Sequence, residues 1–333
     1  MALKATTLII LYLLTLSSVT FNEAWSSQNS RKLLIVNKSD NTASIVALDN
    51  FKSRVKVKLG YAPHEAAISP DRRFAYISNY GTDRAPGNSI SVVNLNRGIE
   101  IGTIDLGRLK RPHGIVVSKD GSHIYVTCEG SGRVAIVDAK NRMVLNSIPT
   151  DQNTSHMIVL SPDEKHAYVA NIGSGTITVM DLRNNEAVGN IKVGAGAEGI
   201  DLSPDGETIY VTSRSENKLS KIDTSTNKLL KQVKTDNFPI RVKVTQDGKR
   251  VIVSNAKSGS LQIFEASSLD EVFRFEVGGF PIGLVVEPDG QKAYLALSLE
   301  NKVLEIDLKN LKITGEIRTG NEPDGMVFFR SGN

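Results

Sequence analysis

Short runs of alternating hydrophobic and polar residues fill most of the chain, and turn-forming residues separate them. Between 156 and 193 the runs are HMIVL (156–160), HAYVA (166–170), TITVM (176–180) and EAVGNIKV (186–193), divided by SPD, NIGSG and DLRNN. Runs of this length, rich in β-branched residues and bounded by Gly, Pro, Asn and Asp, predict antiparallel hairpin strands. Here they come four at a time.

The four-strand unit repeats. SPDRRFAYISN (69–79), SPDEKHAYVAN (161–171) and SPDGETIYVTS (203–213) are near copies. SKDGSHIYVTC (118–128), TQDGKRVIVSN (245–255) and EPDGQKAYLAL (287–297) are looser ones. Their aspartates, Asp71, Asp120, Asp163, Asp205, Asp247 and Asp289, are spaced by 49, 43, 42, 42 and 42 residues. Four strands per period in the forties predict the blades of a β-propeller. The run EPDGMVFF (322–329) matches the first strand of a further repeat and stops where its turn belongs. KLLIVN (32–37), ASIVAL (43–48) and RVKVKL (54–59) supply three strands at the other end. The expected fold is therefore all-β: one domain, residues 31–333, of seven four-stranded blades, with the last closed by N- and C-terminal strands and no open edge at the junction. Tyr76, Tyr125, Tyr168, Tyr210 and Tyr294 recur as candidate packing between blades. The SPD aspartates, and Asp49, Asp138, Asp181, Asp223 and Asp307 after the third strands, read as turn residues.

Bulk composition adds limits. The 40 basic and 36 acidic residues give a net charge of +4 without blocks of one sign, a pattern that disfavours nucleic-acid binding. At the N-terminus, Lys4 precedes the apolar run TTLIILYLLTLSSV (6–19), with Ala24 and Ser26 at small-residue positions before a cleavage site. This predicts a signal peptide over 1–26, a periplasmic or secreted protein, and no membrane span once the signal is removed; an uncleaved anchor is the alternative. The single cysteine, Cys128, excludes an internal disulfide framework and reads as a buried small hydrophobe.

The phrases YVTC, YVAN and YVTS beside SPDG-type turns resemble the YVTN-repeat propellers. These are seven-bladed, and their relatives include lactonase-type propellers and the propeller that holds haem in d-type nitrite reductases. The resemblance spans the mature chain and implies the fold. For function it implies lactone or ester hydrolysis, a haem-contacting role or plain ligand binding, because one propeller fold hosts unrelated activities. Gly-His and Trp-Asp phrases, a c-type haem motif, a Walker loop and a dinucleotide fingerprint are all absent from the sequence.

The repeat also serves as a ruler. The residue after the position that opens each innermost strand is, from the shared blade onward, Asp324, His64, His113, His156, Glu198, Ile240 and Ile282. Three of the five histidines thus fall at one repeat position on consecutive blades, flanked by carboxylates. First residues of innermost strands lie together at one mouth of the central channel. An imidazole and carboxylate arc there suits one divalent transition metal, Cu, Zn or Fe, with open positions for water or substrate, or metal-free acid–base work. His64, His113, His156, Glu198 and Asp324 are the expected ligands, and Glu198 and Glu129 the candidate bases. Asn79 and Asn171, at the ends of second strands, are candidates to orient substrate. The insertion YGTDRAPGNS (80–89) reads as a loop or lid; Arg84 at its tip and Arg111 are candidates to attract an anion. Glu65 and Arg241 occupy the next inner-strand position, where glycine recurs in other blades, and are secondary candidates, Arg241 for binding substrate. His123 and His166 share another repeat position and read as solvent-facing.

The expected function is an exported metal-assisted hydrolase or oxidoreductase acting on a small polar or anionic ligand. The alternative of another class is a non-catalytic propeller that offers a face to a ligand or protein partner.

Overall fold

The computed structural model describes residues 30–51 and 54–331. The expected signal segment, residues 1–26, lies outside them. Among the described residues no helix is long and apolar enough to cross a membrane.

The strands form seven four-stranded antiparallel sheets arranged as a ring. Six are continuous in sequence, with innermost strands Pro63–Ile68, Pro112–Val117, Ser155–Leu160, Ala197–Leu202, Pro239–Val244 and Pro281–Val286 opening blades one to six. The seventh takes its innermost strand, Pro323–Arg330, from the C-terminal end and its other three, from Arg31–Asn37 onward, from the N-terminal end. The seam is a full ladder that pairs Arg31 with Arg330 and Asn37 with Pro323. The seven-bladed, terminally closed propeller expected from the repeat is the fold observed.

The recurring residues build it. Each of the five tyrosines packs against the following blade: Tyr76 on Ile115 and Ile124, Tyr125 on Ile158, Tyr168 on Ile200, Tyr210 on Val242, and Tyr294 on Leu33 and Ile35 of the shared blade. In each SPD turn the hydroxyl donates to the aspartate and accepts the amide that opens the second strand, as Ser161 does with Asp163 (2.7 Å) and His166 (3.0 Å). The aspartate accepts a second amide, from Lys165 at 3.1 Å. These bonds favour the carboxylate, so Asp120 is held at about 2 by Ser118 and Ser122, and Asp163, Asp205 and Asp247 are lowered by the same kind of partner. A depressed carboxylate contributes stability that is complete above its unfolded value of about 4 and lost as pH falls through the folded value. The melting temperature should therefore fall gradually between about pH 4 and pH 2, by an amount that solvent screening at these exposed turns keeps modest. Replacing Asp120, Asp163, Asp205 and Asp247 by asparagine should flatten that limb in thermal melts; an unchanged slope would assign acid sensitivity elsewhere.

Two further regularities shape one mouth of the channel. Every innermost strand carries a β-bulge in its first turn: Pro63 pairs with Asn79 but Ala66 with Ile77, and the same shift recurs in all seven blades. A bulge sets two residues opposite one and breaks strict alternation. Both His64 and Glu65 therefore reach groups at the channel. The residue just before each innermost strand has a positive φ: Ala62, Arg111, Thr154, Gly196, Phe238, Phe280 and Glu322. Its carbonyl accepts the amide of the residue that follows the second strand, for example Tyr80 to Ala62 at 3.1 Å, Glu129 to Arg111 at 3.0 Å and Arg214 to Gly196 at 2.9 Å. One step inside the bulge, a Cβ on Gly114, Gly199, Gly283 or Gly325 would collide with a carbonyl of the next innermost strand. Glycine there lets neighbouring strands close up around a narrow channel.

Candidate functional site

The bulges and the left-handed residues above them gather the histidines. The rings of His64 and His113 have centroids 5.0 Å apart, and those of His113 and His156 are 3.8 Å apart. Tyr80 covers the stack, tilted 4.6 Å from His64 and edge-on 5.8 Å from His113. The three imidazoles therefore share one location. One ligand atom from each of His113, Glu129 and His156 lies within 4.8 Å of the other two.

Partners separate the roles. His156 Nδ1 bonds Glu129, whose other oxygen accepts from the Tyr80 hydroxyl at 2.6 Å. His156 Nε2 lies 3.5 Å from Glu198 Oε1 but lacks hydrogen-bond alignment, and His113 Nδ1 has no hydrogen-bond partner. Both rings are buried. Orphaned polar atoms at such depth are uncommon and call for a ligand or a functional reason. His64 is engaged through Nδ1 with the Ala62 carbonyl at 2.8 Å. Glu198 is held by Arg214 at 2.6 Å, and Arg241 approaches it to 4.0 Å. Arg241 also pairs with Glu65 and lies 3.5 Å from Asp324. Blades one and five are thereby bridged, and the ion pair forms a floor beneath the histidines.

Electrostatics differentiate the three rings. Burial, reinforced by the neighbouring histidines, holds His113 well below its ordinary value, so it is neutral. Burial also lowers His64. For His156 burial opposes the charge, but the bond to Glu129 and the nearby Glu198 carboxylate outweigh it and push the imidazole up to about 9. Burial would raise Glu129 and Glu198, yet His156 draws both below the usual carboxylate value. Burial and the Glu129 bond push Tyr80 up to about 12, so it remains a donor. With His156 protonated, the four carboxylates Glu65, Glu129, Glu198 and Asp324 face three cations, Arg214, Arg241 and His156 itself.

This ligand-type set differs from the arc expected from sequence. Glu129 joins His113 and His156 at short range. His64 sits beside them but spends one nitrogen on backbone. Glu198 faces the far nitrogen of His156, and Asp324 turns to Arg241. Asn79 and Asn171 are buried inside their blades, where their amides bond Ser89 and Ser91, and Thr176 and Thr178. The reason is one residue of register. Pro63 pairs with Asn79, Pro112 with Cys128, Ser155 with Asn171 and Ala197 with Ser213, so the equivalents of Glu129 in those blades are Tyr80, Ile172 and Arg214. The residue ending the second strand points into the blade and the next one faces the mouth. The signal in the sequence that identifies Tyr80 and Arg214 is their count from the residue paired with the start of the innermost strand.

The 80–89 insertion is no loose loop. It lengthens a hairpin, Phe74–Gly81 with Pro86–Asn94, and the ladder continues to Gly81–Pro86 with Thr82 donating to Ala85 at 3.0 Å. Arg84 is exposed at the tip. Arg111 bonds Asp83 of this hairpin at 2.8 Å and lies 5.1 Å over the Tyr80 ring. An open cleft of about 470 Å³, lined by His64, Tyr80, Arg111 and Lys38 among others, leads to the stack. His123 and His166 are half-buried rather than fully exposed, and His123 bonds Ser122 at 2.6 Å.

Fold and site together define a seven-bladed β-propeller with a histidine and carboxylate cluster at one channel mouth. Comparison with known proteins agrees on the class. Residues 85–193 match the family model described as lactonase, 7-bladed beta-propeller, and residues 148–250 match that of the YNCE-like beta-propellers. No curated protein matches the chain. Among solved structures, a chain of Kuenenia stuttgartiensis hydrazine synthase is similar with 23% identity and a TM-score of 0.73, over 83% of this chain and 92% of that one. A functionally unknown protein from Desulfotomaculum acetoxidans DSM 771 is similar at 14% identity and a TM-score of 0.77, over 89% and 98%. At these identities the likeness is one of fold.

Proposed function

We propose that the channel mouth binds one divalent transition metal, Zn, Cu or Fe, and acts on a small polar or anionic substrate, with hydrolysis of an ester or lactone as the leading chemistry. The observation that carries this reading is the close approach of His113, Glu129 and His156 together with two orphaned imidazole nitrogens. Two imidazoles and a carboxylate are a ligand set of catalytic zinc sites. The four gathered carboxylates suit a dication once His156 gives up its proton to become a ligand. His113, already neutral, offers its lone pair without losing a proton.

Each residue then has a task. Glu129, fixed by Tyr80, supplies the oxygen ligand. Glu198 is placed to orient His156 through its other nitrogen, as carboxylate partners of metal-bound histidines do. Arg111, Lys38 and the exposed Arg84 favour an anion in the cleft. A metal held here would supply Lewis acidity toward a carbonyl or a water made acidic. The match to the lactonase model over 85–193, which contains His113, Glu129 and His156, supports a hydrolytic reading. The leader-like sequence over 1–26 supports action in the periplasm or outside the cell.

One observation favours a rival reading. His156 sits between two carboxylates that hold its positive charge without a metal, an arrangement that also suits metal-free acid–base work or a scaffold. Metal uptake separates the two. Chelator-stripped protein is expected to take up one equivalent of Zn²⁺, Cu²⁺ or Fe²⁺ in equilibrium dialysis followed by elemental analysis. No uptake of any of the three would overturn the metal site and leave the rival.

A further inference from the structure

The mouth has a second half of different chemistry. On blades five and six the positions that carry His64, His113 and His156 elsewhere are Ile240 and Ile282, both buried. With Ala256 they form a small apolar cluster separate from the blade cores, and Phe238 and Phe280 pack against it. These phenylalanines precede their innermost strands and hold φ of 65° and 57°. That conformation is unfavourable for a bulky side chain and free for glycine, which blade four uses at Gly196. Backbone geometry therefore gives no reason for an aromatic ring at the rim of these two blades. Both rings remain half-exposed.

The apolar half is continuous with the histidine half. Arg214 bonds Glu198 at 2.6 Å and also lies 5.1 Å over the Phe238 ring. The Lys257 ammonium lies 4.3 Å over the same ring. A basic fringe thus borders the apolar surface, and the polar cluster lies beside it. A ligand of mixed character fits this layout: an apolar body laid against the two phenylalanines that cover the buried isoleucines, with an anionic or carbonyl group turned to the cations and the histidines.

We infer that the mouth is a bipartite site for small arylalkyl carboxylic acids or their esters, in which Phe238 and Phe280 recognise the apolar body and the histidine cluster receives the oxygenated head. This rests on the reading of the mouth as a substrate site. It adds the substrate class, because a site for small hydrophilic anions alone would not present two half-exposed phenylalanines.

The test is binding of 4-phenylbutyrate and butyrate by titration calorimetry, on metal-free and Zn²⁺-treated protein. Phenylbutyrate is expected to bind wild type at least about tenfold more tightly than butyrate, the margin that burying a phenyl group supplies. The Phe238→Ala/Phe280→Ala protein should lose that margin while its Zn²⁺ uptake stays at the wild-type level. The Phe238→Leu/Phe280→Leu protein should retain most of the margin, which separates lost recognition from a damaged fold. Equal binding of the two acids, binding of neither, or a margin that survives the alanine changes would overturn the inference. Zn²⁺ uptake is read independently, so a failed metal site and a failed apolar subsite give different results.

Discussion

Replacing Arg241 with methionine is expected to lower stability by about 3–5 kcal/mol, the usual cost of removing one partner from a buried ionic network. Arg241 is 6% exposed and is the shared cation of Glu65, Glu198 and Asp324. Without it three carboxylates remain at the channel with Arg214, on Glu198 alone, as their guanidinium. Burial already pushes Glu65 upward, and Arg241 is what opposes that push. In the variant Glu65 should take up a proton to relieve the repulsion. Adding Glu65→Gln to Arg241→Met should therefore recover part of the loss. Urea unfolding followed by circular dichroism measures both proteins. A loss under about 1 kcal/mol, within reach of an ordinary surface change, would show that the floor of the mouth does not depend on this cation.

The second large effect concerns metal. His113→Ala and His156→Ala are each expected to weaken Zn²⁺ binding by more than about a hundredfold, since changes to outer partners alone cost 10–100-fold. Glu198→Gln should fall within that outer-partner range, because Glu198 faces the far nitrogen of His156. His64→Ala should change affinity by less than about tenfold, since His64 is tied to the Ala62 carbonyl rather than to the close trio. The ranking is the informative part. If His64→Ala cost as much as His113→Ala, the three histidines would act as one ligand arc, as the sequence alone suggests, and Glu129 would not be the third ligand. Dialysis against a competing chelator gives the ranking directly.

Much of this protein can be read from its repeat, and the failures have physical causes. Blade count, closure and the gathering of His64, His113 and His156 followed from equivalent positions sharing an environment. Glu129 was found, but grouped with Asn79 and Asn171, one residue out of register. On a strand that single step turns a side chain from the mouth into the blade. The 80–89 segment carries Gly and Pro, which suggested a loop. Its ladder continues nonetheless, because Gly81 and Gly87 allow the two strands to approach where any Cβ would clash. The Glu65–Arg241 bridge joins blades four repeats apart, a relation no local pattern encodes. Phe238 and Phe280 were legible in principle, as the aromatic members of the position before each innermost strand.

The seam of the seventh blade has a practical consequence for handling the molecule. The chain enters the ring at Ser30 and leaves at Ser331, and these two residues bond each other where the other blades have their SPD turns. Those turns lie at the end of the innermost strands away from the histidines. Chain attached directly at Ser30 or Ser331 therefore starts from the face opposite the mouth. An affinity tag, a surface linkage or a second protein can be carried there with the channel mouth left facing solution.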